Sequence, residues 1–180
     1  INQISSSNHL LLIIFCFYGQ FGFSQGLFSS SELLRIRLTG EIRETLNDRD
    51  AESSYHPITL HYTEESGKQQ VIPIEAKTRG NFRKLRSNCI YPPLLLNFSK
   101  AETTNTIFHG QTKLKLVTPC RGDKYVVREY LVYQLHNLVT PKSFRARLVK
   151  VFYGEEKPGK EQEALYGILL EEEEQMAARN

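Results

Sequence analysis

The chain has 180 residues, 40% of them hydrophobic and 11% aromatic, and carries a formal net charge of +3 at pH 7. That length fits a single domain, and that composition can bury an ordinary globular core. The small positive charge is spread among acidic residues, which argues against nucleic acid as a partner.

Residues 10–18 form a continuous apolar run, too short for a good membrane-spanning helix. Gly22 and Ser24 follow it, and small residues at alternate positions suit signal peptidase. Residues 1–25 are therefore expected to be a secretory signal peptide cleaved near Ser24 and Gln25. Phe15, before Cys16, is too bulky for a lipoprotein signal. The expected product is exported (periplasmic, cell-envelope or secreted) and keeps no stable membrane span. The chain starts at Ile1 and stops in the acidic stretch 171–179, so it reads as a fragment incomplete at both ends.

Leu34, Ile36 and Leu38 alternate with Arg35, Arg37 and Thr39, the pattern of a half-buried strand. Residues 57–63 and 71–77 read as two further strands joined by a turn containing Gly67. Pro73 argues for an edge or bulge position in the second of them. Residues 92–98 and 113–117 are strands as well. Residues 125–139 form the clearest helix, with Val127, Leu131, Leu135 and Leu138 at helical spacing. Asp123 is its expected cap, and Arg121-Gly122-Asp123 reads as the turn into the helix, a tripeptide too short to specify adhesion. Strands over 145–153 and 165–170 follow, and then the acidic helix. The order implies an α+β domain with most of an antiparallel sheet in its N-terminal part.

Cleavage would leave Cys89 and Cys120. They can pair in an oxidising compartment or stay as two partly buried thiols, and spacing leaves both open. The five histidines show no metal-ligand spacing with cysteine, and no nucleophile elbow is present. The Glu171–Glu174 run reads as a solvated helix face.

Several segments, in order, resemble the CotH kinase family, the spore-coat protein H-like proteins with an atypical protein-kinase fold. They are Lys77-Thr78-Arg79-Gly80-Asn81-Phe82-Arg83, the apolar strand 92–98, the stretch 123–135 with Arg128 and its Tyr-X-Leu end, residues 144–151, and Leu165-Tyr166-Gly167-Ile168-Leu169-Leu170-Glu171-Glu172. The likeness covers roughly residues 75–175. At closer range the chain resembles exported proteins of Bacteroidota-type bacteria, on its Phe-Ser-Gln signal end and on residues 78–180.

The resemblance implies an antiparallel sheet plus a helix, the small lobe of an atypical kinase, truncated before the second lobe. It implies phosphoryl transfer from ATP, with Mg²⁺ or Mn²⁺, to an exported protein substrate. Lys115 and Glu129 would then form the catalytic Lys–Glu pair. Arg79, Gly80 and Asn81 would face a phosphate, as would Arg128, and Leu170 and Glu172 would form the hinge beside the base. For each a plainer role stands beside this one: solvated charges for Lys115 and Glu129, an ordinary turn for Arg79–Asn81, local pairing with Asp123 or Glu129 for Arg128, and a Glu-rich helix start for Glu172. The family's metal-binding acids would lie past Asn180, so the metal ligands are unknown. The family's apolar strand begins with lysines, whereas here Tyr91, Pro92 and Pro93 stand there. That departure supports the alternative, a catalytically inactive envelope or surface binding module on the same fold.

Overall fold

The computed structural model describes residues 26–120, 122–155 and 163–180. The expected signal segment 1–25 and Arg121 lie outside them. The strands are β1 (Leu34–Gly40), β2 (His56–Thr63), β3 (Gln69–Thr78), β4 (Leu94–Phe98), β5 (Lys113–Val117), β6 (Ala146–Tyr153) and β7 (Leu165–Glu171). The helices are α1 (Ile42–Asn47), α2 (Lys100–Thr103), α3 (Asp123–Val139) and α4 (Glu173–Arg179).

The seven strands close into a barrel in the order β1-β2-β3-β4-β5-β7-β6. This overturns the expected antiparallel sheet of a kinase small lobe. Neighbours are antiparallel except β1 and β6, which run parallel with Ile36 opposite Val151. That one pairing joins the two ends of the sheet, so every strand has two neighbours. Pro73 sits where β3 is locally an edge, in line with its expected place. It lies opposite Thr59 of β2, and the ladder to β4 begins one residue later, at Ile74 opposite Phe98.

Alternation along the strands sends one set of side chains inward. Ile36, Leu38, Leu60, Ile72, Leu96 and Leu114 belong to the buried interior. One end of the barrel is sealed by Leu27 from the segment before β1, and the buried Arg147 donates to the carbonyls of Leu27 (2.9 Å) and Glu32 (3.3 Å). Near that end Phe108 stacks on Phe98 (5.3 Å) and meets Tyr62 edge-on (5.4 Å).

α3 packs on the outside. Val126 and Tyr130 lie against Val117 and Ile168, flanked by Leu148 and Tyr166. The expected seam is wrong: Val127 is half-buried, while Leu131, Leu135 and Leu138 are more than half exposed. The helix carries apolar residues around its whole circumference, so periodicity does not choose a face. The cap is different too. Gly122 occupies the cap position with φ +93°, where glycine is favoured, and the Asp123 carboxylate accepts from the Tyr166 N–H (3.4 Å) rather than from its own helix.

Candidate functional site

The sequence-predicted residues fall into separate places. At the barrel end that holds Tyr153, the β3–β4 connection (79–93) is tied down on all sides. The Arg49 guanidinium donates to the carbonyls of Leu46 (3.0 Å), Lys84 (3.1 Å) and Cys89 (2.8 Å). The Lys84 ammonium donates to the Asp50 carbonyl, to the Ala51 carbonyl (3.3 Å) and to the Ser53 hydroxyl (3.1 Å). Cys89 and Cys120 form a disulfide that fastens the connection to the start of α3. Gly80 takes φ +84°, so Arg79-Gly80-Asn81 is a turn after β3.

Arg83 connects this loop to α3, donating to the Thr118 carbonyl and lying 3.7 Å from the Glu129 carboxylate. Burial pushes the Tyr133 hydroxyl pKa up; Glu129 adds to that rise, while Arg79 and Arg83 oppose it. Arg79 and Glu129 are thus brought to one neighbourhood. Lys115 is not: its buried ammonium bonds the Glu173 carboxylate and lies 4.9 Å from the centre of the Phe144 ring. The expected Lys115–Glu129 pair is therefore not made, because β5 points Lys115 toward α4 and not toward α3.

Leu170 is buried opposite Lys115 on β7. The Glu172 carboxylate caps α4, accepting from the Glu174 N–H (2.9 Å). Arg128 is exposed, with no ion pair to Asp123 or Glu129 among the described residues. Among those residues no group of three or more His, Cys, Asp and Glu could hold a metal ion, and no helix is long and apolar enough to cross a membrane.

The open concave surface lies elsewhere, on the outer face of the barrel. The register aligns Phe152 (β6), Arg37 (β1), His61 (β2) and Val71 (β3) in one row across four strands. Their neighbours in sequence point inward, so this row points outward by alternation. It lines a cavity of about 380 Å³ with Arg35 and Gln69. Arg37 is fixed in place: its guanidinium lies 5.1 Å from the centre of the Phe152 ring and donates to the Gly154 carbonyl (3.2 Å). His61 Nε2 and the Thr39 hydroxyl share a hydrogen bond of 2.8 Å. Among the described residues the lining carries two guanidiniums, Arg35 and Arg37, and one carboxylate, Glu155.

Sequence reading took Arg35 and Arg37 only as the polar side of a strand. The signal that adds Phe152, His61 and Val71 to them is strand pairing, which alternation alone does not carry. In comparisons with family models and with curated proteins, the chain matches none.

Proposed function

We propose that the protein is an exported, catalytically inactive binding module whose ligand occupies the Arg35–Arg37–His61 groove. The observation that carries this reading is the outward row of Phe152, Arg37, His61 and Val71, with Arg37 held in position and the cavity open above it. A guanidinium held in place, Arg37, beside the exposed Arg35 in a concave polar site is suited to anions.

Two further observations support it. The Cys89–Cys120 disulfide suits an oxidising compartment outside the cytoplasm. Phosphoryl transfer, implied by the family resemblance, needs a lysine held on the phosphates by a glutamate. Lys115 is instead engaged by Glu173, and Glu129 by Arg83.

The test is a phosphotransfer assay with ATP and Mg²⁺ or Mn²⁺, run with an acceptor protein and without. No turnover above the level of the Lys115→Met variant is expected. Turnover by the wild type that this variant loses would overturn the non-catalytic reading.

A further inference from the structure

We propose that the groove takes an acidic sugar, a saccharide bearing a carboxylate or phosphate group; this rests on the binding-module reading above. The volume of about 380 Å³ falls in the usual range of small-molecule sites. Arg35 is exposed and has no hydrogen-bond or ion-pair partner among the described residues, so its five donors are open to a ligand. Arg37 stands two positions along the same strand face, already oriented by Phe152 and Gly154. A guanidinium fork matches a carboxylate or phosphate in two parallel hydrogen bonds.

The rest of the lining suits a sugar ring. Gln69 and Thr63 offer an amide and a hydroxyl, groups that both donate and accept as sugar hydroxyls do. Phe152 and Val71, the latter 57% exposed, give apolar surface at the two ends of the row, for the C–H faces of successive rings. An acidic peptide is the less suited ligand. Extended peptides bind sheets by adding a strand at an edge, and at Arg37 and His61, in the middle of the row, the strands are paired on both sides. A ligand here is read by side chains alone.

The experiment titrates the ¹⁵N-labelled protein with a uronic-acid disaccharide, a sugar phosphate, inorganic phosphate, a neutral disaccharide and an acidic peptide. One of the two acidic sugars is expected to bind at least ~10-fold tighter than the neutral sugar, with shifts at Arg37, His61 and Thr63. Arg35→Ala should weaken it by roughly 10- to 100-fold, the worth of a charged hydrogen bond, with an unchanged melting temperature. Gln69→Ala should weaken the sugars and leave inorganic phosphate unaffected. Equal binding of neutral and acidic sugars, or of inorganic phosphate and sugar phosphate, overturns the acidic-sugar assignment. Binding of the acidic peptide alone also overturns it and leaves the binding-module reading standing. No binding by any of the five overturns both.

Discussion

Glu171 has no exposed surface, and Arg145 holds it at three points: the Arg145 backbone N–H (3.0 Å), Nε (2.9 Å) and Nη2 (2.7 Å) all donate to its carboxylate. Arg179 adds a second guanidinium at 3.0 Å and also donates to the Pro141 carbonyl (2.8 Å), so this carboxylate joins β7, α4 and the α3–β6 connection. Removing one member of a buried ion pair leaves the others charged and unmatched. Glu171→Ala should therefore cost about 3–5 kcal/mol in urea unfolding. A loss below ~1 kcal/mol would show that the cluster is already hydrated.

Acid should unfold the protein through a few carboxylates. Burial alone would raise the Glu171 pKa, but the hydrogen bonds from Arg179 and Arg145 outweigh it and hold the group below its usual 4.5. Glu173 is held at about 2, by a hydrogen bond that the Glu172 carboxyl can give only when protonated, against burial, and by the Lys115 ammonium. Asp48 is lowered by its hydrogen bonds to His56 and to the Ser54 N–H. A carboxylate with a depressed folded pKa adds stability above its unfolded pKa and loses it as pH falls through the folded value. The urea midpoint should thus be flat above pH ~4.5 and fall toward pH ~2. Glu171→Gln should make that decline shallower, and a midpoint unchanged between pH 5 and 3 would contradict the assignment.

The disulfide fixes the 79–93 connection against α3 across 31 positions of chain. Closing a loop of that size restricts the unfolded chain, so a Cys89→Ser, Cys120→Ser double variant should lose about 2–4 kcal/mol. The same loss is expected for the wild type under reductant, read as a shift in thermal midpoint. No shift in either case would mean that Arg49 and Lys84 hold the connection unaided.

Gly167 lies inside β7, closely packed against both neighbouring strands. A Cβ there would meet the Leu116 Cδ1 and the Val117 carbonyl oxygen at 3.1 Å and the Val149 Cγ2 at 3.3 Å. The carbonyl belongs to the paired strand β5 and cannot give way without moving the ladder. Gly167→Ala is expected to cost roughly 1–3 kcal/mol of overpacking strain. A neutral result in differential scanning calorimetry would place slack between β5 and β6.

Lys115 and Glu129 should behave as unrelated residues. Lys115→Ala strips the partner from Glu173 and the cation from the Phe144 face, and it should lower stability measurably. Glu129→Gln removes only a partly exposed contact with Arg83, worth about 1 kcal/mol or less. A double-mutant cycle between them should show coupling near zero, below ~0.5 kcal/mol. Strong coupling would restore the pair that the family resemblance implied.

The sequence by itself determined the local elements. Alternation gave the strand at Leu34, Ile36 and Leu38 and the strand at Lys113–Val117, and turn residues gave the hairpin around Gly67, because each depends only on neighbouring side chains. It also left Cys89 and Cys120 as a possible pair without deciding it. Only the tertiary structure decided that β6 returns alongside β1 in parallel and closes the barrel. That pairing joins residues from opposite ends of the chain, and no local period records it. The same closure set Phe152 beside Arg37, while the packing of β5, β6 and β7 chose the buried side of α3 and the β5–β7 pairing brought Lys115 to Glu173. Arg37 could be read from the sequence as outward-facing, but the groove around it exists only because four strands bring their outward residues into one row.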